Sequence, residues 1–401
     1  MSSAPPPAIL LGGGVTMLGV LRSLGRSGIP VLVANAGRGF AAWSRWFQRA
    51  TPEGPRPGAL GEFLEHLSVD RGVLIPCSDD WALDIASLEP AIAERFPTSL
   101  PPRQVLEILV DKGRFAGLLA ETGTPHPRTR LVASASDLSG VDAGELEHAF
   151  IKPRDSQAFF RRFGVKAFLP GSPGDLVARL GRLAEEGVQV IVQEYVPGPA
   201  SNHIFVDGFI DAGGETRALL ARRRLRMYPP HFGNSSYMRS VALAEVQPAI
   251  DAIDALLSHL SYRGIFSAEF KQDERDGVYR LLEVNARPWW YIEFAQRCGL
   301  NMSEMAYRDA LGQPVDDGGA YQLGRSLIYP YYDVQACYRQ WRKGTSPFTL
   351  ATSWLWADRP LFAWDDPLPA LREGARAVRN FTVRMTRRAL GRVRPDRKAS
   401  S

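Results

Sequence analysis

Apolar runs of strand length alternate with helical periods along the first hundred residues. Positions 8–11, 30–33 and 72–76 are continuous apolar runs, while 15–27 and 81–93 repeat apolar residues at helical spacing. Strands that alternate with helices pack as a parallel sheet covered on both faces, so an open α/β domain is expected here. Pro101 and Pro102 close it. A helix is predicted over 104–121, stopped by the turn-forming Gly123-Thr124-Pro125-His126-Pro127. Further strands are predicted near 149–152, 188–195, 203–211 and 215–225, with helices over 176–186 and 247–260. After 287 the chain mixes helical pieces with loops rich in Trp and Tyr.

The strongest alternation is a hairpin over 264–286. Strand side chains point to opposite faces in turn, so Phe266, Ala268 and Phe270 share one face and Ser267, Glu269 and Lys271 the other. On the return strand Leu282 and Val284 are expected on one side, with Glu283, Asn285 and Arg287 on the other. The Asp276-Gly277 turn can fold the two strands together and bring Glu269 opposite Glu283 and Asn285. Two carboxylates and an amide oxygen are the hard ligands that magnesium takes when it also carries nucleotide phosphates. A polar face turned to water would give the same alternation.

Glu269 followed by Glu283-Val284-Asn285-Ala286-Arg287 resembles the signature of the ATP-grasp superfamily, and the resemblance spans roughly residues 8–310. It implies a chain of α/β and α+β class, with an N-terminal open parallel-sheet (pre-ATP-grasp) domain followed by a two-lobed ATP-grasp domain. The expected limits are 1–103 for the first domain, 104–196 for a small lobe with lid loop and hinge, and 197–315 for a large lobe with the metal site. Residues 316–401 are expected to be an extension with a disordered basic tail.

The same resemblance implies roles. Glu269, Glu283 and Asn285 would hold magnesium, or manganese in its place, against the phosphates of ATP, and Arg287 would orient a carboxylate. Lys112 after Asp111, and Lys152 at the end of a short strand, resemble the phosphate-contacting lysines of the family. The loop after Lys152 resembles the lid that closes over ATP, with Lys166 as a further contact, although it is poorer in glycine than most. Gln193-Glu194-Tyr195-Val196 resembles the linker between lobes, where backbone groups meet the adenine edge and the Glu adds a polar contact. Ser201 stands where relatives place an acid for the ribose, and the next carboxylate is Asp207.

The implied activity is an ATP-dependent ligase, in which a carboxylate becomes an acyl phosphate and is attacked by an amine. The partners are then small-molecule carboxylate and amine substrates, and many relatives are homodimers. A bicarbonate-using carboxylase-like enzyme of the same fold and a non-catalytic ATP-binding sensor are the alternatives. A nicotinamide site at Gly12-Gly13-Gly14 is not expected, because Met17 breaks the dinucleotide fingerprint.

Other residues carry two readings each. Arg222, Arg223, Arg224 and Arg226, with the loop at 233–236, face substrate or ATP, or form a strand of solvated charge. Trp289, Trp290 and Tyr291 wall a substrate or pack a core. Asp79 and Asp80 are expected as helix caps, and the six scattered histidines as surface or loop residues.

Composition narrows the setting. The net charge of +5 is concentrated beyond Arg372, which reads as a frayed tail, and no nucleic-acid-binding motif accompanies it. Cys77, Cys298 and Cys337 are too scattered for a disulfide framework or a zinc site. No run of apolar residues reaches spanning length and the first residues lack a signal-peptide pattern, so a cytoplasmic protein without a membrane span is expected.

Overall fold

The computed structural model describes residues 5–34, 39–56, 58–132, 137, 149–153, 173–231 and 233–391. Three parallel strands, β1 (Ala8–Leu11), β2 (Val31–Val33) and β3 (Val73–Pro76), form the first sheet in the order β2-β1-β3. Alternate side chains enter different cores. Ile9 and Leu11 join the helices Leu60–Glu65 and Asp79–Ile85, while Ala8 and Leu10 join the helix Gly14–Arg26. Both faces are covered, as the alternation of elements predicts.

The predicted helix over 81–93 is in fact two, Asp79–Ile85 and Pro90–Arg95. Pro90 has no N–H to continue a helix and starts the second one instead. The predicted helix over 104–121 is likewise split into Arg103–Val110 and Lys112–Glu121. Asp111 between them is extended, and its carboxylate accepts from the backbone N–H groups of Gly113 and Arg114 at 2.9 and 3.1 Å. This cap satisfies two donors that the helix start would leave orphaned. It also sets Lys112 at the first helical position.

The small lobe is an antiparallel sheet of β4 (Thr129–Val132), β5 (Ala149–Pro153) and β6 (Val190–Glu194), in the order β4-β6-β5. The helix Pro173–Glu185 packs on it through Leu180 and Leu183. The expected lid, including Lys166, and His148 lie outside the described residues.

The large lobe is built on β7 (His203–Ile210), β8 (Thr216–Tyr228), β9 (Asn234–Val241), β10 (Gly264–Gln272), β11 (Tyr279–Asn285) and β12 (Ser326–Ile328). They run β11-β10-β7-β8-β9-β12. Phe266, Ala268 and Phe270 are buried with Ile253, Leu256 and Leu257 of the helix Gln247–His259. Each large apolar side chain so buried contributes roughly 1.5–3 kcal/mol. Two expectations change here. Asn234, Ser235 and Ser236 begin a strand and are not a loop. A register shift between Glu269 and Phe270 pairs Phe270 with Leu281, so Leu281, and not Leu282, shares the buried face with Val284.

The extension folds back on the first domain. Arg22, fully buried, donates to Asp366 at 2.9 Å, to Glu293 at 3.1 Å and to the carbonyls of Pro360, Leu361 and Asp366. Where a frayed tail was expected, Leu368–Gly391 is a helix of 24 residues, and 392–401 lie outside the described residues. No helix among the described residues is long and apolar enough to cross a membrane.

Candidate active site

The hairpin sets Glu269 directly opposite Glu283, and Ser267 opposite Asn285. The Asn285 amide lies 3.5 Å from Glu283 Oε1. A solvated polar face does not account for this side of the sheet, because Ser267 and Lys271 are buried. Glu269 is gripped from the neighbouring strands. His203 Nδ1 lies 2.8 Å and Arg224 Nη2 3.0 Å from its Oε1. Burial alone would raise the Glu269 carboxyl, but Arg224 and His203 hold it well below the usual range, so it is ionised. Burial, reinforced by Arg224, pushes His203 down to about 4. His203 is therefore a neutral, buried partner of Glu269 and not a surface residue. Its signal is long-range: only the pairing of β7 with β10, which sets His203 beside Lys271, brings it to the site.

Two lysines approach from the other lobe. Lys152 donates to Gln193 Oε1 at 3.0 Å on the neighbouring strand of its sheet, and Gln193 in turn donates to Thr129 at 3.0 Å. Burial pulls the Lys152 ammonium below its ordinary value; Glu283 and Glu269 work against that, while Lys112 adds to it. Residues far apart in sequence thus share one electrostatic neighbourhood, two cations from the small-lobe side and two carboxylates from the hairpin. The backbone also bridges the lobes, with Leu281 N–H donating to Pro125 O at 2.8 Å.

The linker is more occupied than its sequence suggests. Glu194 is paired with Arg275 of the hairpin turn at 2.7 Å and with Arg128 at 3.4 Å. Its carboxylate is therefore committed to the lobe junction, and a nucleotide edge would be met by the backbone of Tyr195 and Val196. The Tyr195 hydroxyl lies 3.1 Å from His231, and Lys271 Nζ sits 4.5 Å over its ring. Burial and Arg224 bring Lys271 down to about 8. Ser201 lies in a short helical turn and its carbonyl accepts from Arg223. Asp207 does not stand in for a ribose acid: it is fully buried and bonded to Arg222 and Ser267.

The arginine strand is not solvated charge. Arg222, Arg224 and Arg226 point into the protein, where they meet Asp207, Glu269 and Asp333 respectively. Arg226 reaches Asp333 through two bonds of 2.9 and 2.6 Å, which ties the large sheet to the helix Pro330–Arg342. Trp289 and Tyr291 are buried core residues, whereas Trp290 is half-buried and stacks on Tyr291 at 5.0 Å. Aromatics from the extension, Tyr329 and Tyr332, close around Trp290 at 5.3 and 5.9 Å.

Asp79 is not the expected helix cap. It meets Arg287 with two bonds of 2.8 and 3.0 Å, and Arg287 also donates to Asn285 at 3.2 Å and to the Pro288 carbonyl at 3.0 Å. Those four contacts use four of the five N–H groups of a guanidinium and leave one on Nη1. The first domain thus fixes Arg287 at the end of the hairpin. The nearby glycine turn has a local reason: Gly12 has φ +129°, and a Cβ there would lie 2.7 Å from Cys77 Cβ.

Among the described residues no group of three His, Cys, Asp or Glu gathers as a metal cluster. The oxygen set at the hairpin is Glu269, Glu283 and Asn285, and among the described residues His203 and Arg224 meet Glu269 on Oε1, so that Oε2 would be the oxygen offered to a cation. Carboxylate and amide oxygens suit magnesium better than a softer metal.

A family model described as ATP-grasp in the biosynthetic pathway with Ter operon matches residues 186–327, which include the whole hairpin. A D-aspartate ligase of Enterococcus faecium is 27% identical over 246 residues. The match covers 59% of this chain and 58% of that protein, so the chain spans well under two thirds of this relative. A carboxyaminoimidazole ribonucleotide synthase from Aspergillus clavatus complexed with ATP superposes with a TM-score of 0.62 at 16% identity, over 80% of this chain and 81% of that one. An L-amino acid ligase from Bacillus licheniformis gives 0.58 at 13% identity, over 81% and 79%. At these identities the structures show the fold alone. With the hairpin register, the family match makes residues 186–327 similar to ATP-grasp proteins, and the fold over most of the chain is the one these solved structures share.

Proposed function

We propose that the protein is an ATP-dependent ligase that activates a carboxylate as its acyl phosphate and passes it to an amine, releasing ADP and phosphate. The observation that carries this reading is the hairpin register, which sets Glu269 opposite Glu283 and Ser267 opposite Asn285, with Lys152 held on Gln193 of the other sheet. Cations on one side and acidic oxygens on the other suit a polyphosphate bound through both direct charge and metal. Magnesium, held on Glu269, Glu283 and Asn285, would offset negative charge on the phosphates. Lys112 and Lys152 bind phosphate oxygens from the small lobe, and backbone groups of Tyr195 and Val196 meet the base. His203 and Arg224 keep Glu269 ionised and aimed.

Arg287 holds the acceptor carboxylate through its remaining N–H, with Asp79 fixing the guanidinium plane. The carboxylate oxygen attacks the γ-phosphorus, the bond to ADP breaks, and the amine then displaces phosphate from the acyl carbon and loses a proton. No protein nucleophile is required, since positioning and electrostatics supply the catalysis. The likeness to a D-aspartate ligase favours an amino-acid carboxylate, with D-aspartate the first candidate, over bicarbonate. The setting proposed is the cytoplasm, in keeping with three free cysteines, and the form proposed is a homodimer.

ADP release is the test, measured with ATP and magnesium across pools of amino acids with and without amines. Release that needs both components supports the ligase. Release with bicarbonate and no amine would transfer the reading to a carboxylase, and ATP binding without turnover in any pool would favour a sensor. Arg287→Lys is expected to lower kcat/KM for the carboxylate by about 10–100-fold, because a point charge cannot keep the two-bond pairing with Asp79. An unchanged value would remove Arg287 from the acceptor site.

A further inference from the structure

Charge and apolar surface gather where the proposed ligase chemistry does not use them. Residues 368–401 contain ten Arg and Lys against two Asp and Glu, a net +8, where the whole chain is +5; residues 1–367 therefore carry −3. Within the helix Leu368–Gly391, Leu368, Leu371, Ala375 and Val378 follow the spacing of a single helical face, and all four are exposed. Leu371 is 61% and Val378 67% accessible. The sequence continues the same spacing with Met385 and Ala389. At 100° per residue Arg372 and Arg379 fall beside this stripe and Arg376 falls behind them. One turn before Leu368, Trp364 is 90% exposed. The preceding helix, Pro347–Leu355, leaves Phe348 78% exposed, and Trp356 just after it is 92% exposed.

We propose that the helix Leu368–Gly391 is an interfacial anchor for an anionic lipid surface. It lies in the headgroup plane with the Leu371–Val378 stripe and Trp364 turned to the acyl boundary and Arg376 and Arg379 on lipid phosphates, while Arg372 sits over the Trp43 ring at 4.1 Å. A helix whose apolar stripe is bordered by arginine matches such a surface in both charge and hydrophobicity. Arginine beside the stripe argues against a second copy of the chain, since pairing two stripes would bring Arg372 and Arg379 against their equivalents. The only acid on the described side-chain portion, Glu373, is already near Arg376 at 3.7 Å. The buried Arg22 network fixes the base of the helix to the first domain, so docking would hold the whole enzyme at the surface.

Cosedimentation of the full chain with phosphatidylcholine vesicles, with and without phosphatidylglycerol, tests this. Binding is expected to the phosphatidylglycerol vesicles, at least about tenfold weaker to phosphatidylcholine alone and weakened by salt. The double variant Leu371→Glu/Val378→Glu is expected to lose about tenfold or more of that binding, with ATP binding unchanged as proof that it folds. Absence of binding to phosphatidylglycerol vesicles, or equal binding by the variant, would overturn the proposal. A vesicle-free dimer that the variant disperses would overturn it too, by seating a second copy on this face.

Discussion

Glu283→Ala is expected to cut ADP release by about a thousandfold while the protein unfolds at the temperature of the wild type. Both halves follow from where Glu283 sits. The residue is exposed, and among the described residues its carboxylate takes only a marginal contact from Asn285 at 3.5 Å, so its loss leaves no buried group there unpaired. Surface changes of this kind shift stability by about 0.5 kcal/mol or less. The same carboxylate faces Glu269 across the hairpin and lies in the field of Lys152, so removing it would unbalance the proposed phosphate site. Glu269→Ala should be as inactive but less stable, because it strands Arg224 beside a neutral His203 in a buried place. A Glu283→Ala protein with full turnover would remove the hairpin from the chemistry.

Arg22→Met is expected to destabilise the protein by about 3–5 kcal/mol, read from the urea midpoint. The guanidinium is fully buried and joined by five hydrogen bonds to the extension and to Glu293, and Asp366 is buried beside it. Methionine fills much of the volume but leaves Asp366 Oδ2 and three carbonyls without their donor, while Asp366 Oδ1 keeps the backbone N–H of Arg45 at 2.9 Å. Glu293 keeps Arg26 and Arg297, so the deficit centres on Asp366. As a contrast, Arg308→Met at the half-exposed pair with Glu304 should cost less than about 1 kcal/mol. Equal effects at the two sites would show that the extension does not depend on Arg22.

The parts of this site written in local alternation were legible from the chain. The facing of Glu269 and Glu283 follows from a period of two and an Asp-Gly turn, and the covered parallel sheet follows from strands alternating with helices. The bulge after Glu269 was not legible, because a single inserted residue leaves the alternation on either side intact; it exchanges Leu282 for Leu281. Partnerships between distant segments were hidden for a related reason. Asp79 reads as a helix start from its neighbours, and only the docking of two domains delivers it to Arg287. His203 and Asp207 look like strand residues with polar ends, yet one bonds Glu269 and the other neutralises Arg222. The final helix is hidden by composition, because basic residues suggest a solvated tail, while their placement around an apolar stripe specifies a helix.

The most direct test of the acyl-phosphate route uses the carboxylate found in the ADP-release screen, labelled with heavy oxygen and supplied with its amine and ATP. If the carboxylate attacks the γ-phosphorus, each phosphate released with ADP carries one labelled oxygen taken from the acid. Amide formed with unlabelled phosphate, or with the label in AMP, would contradict the account.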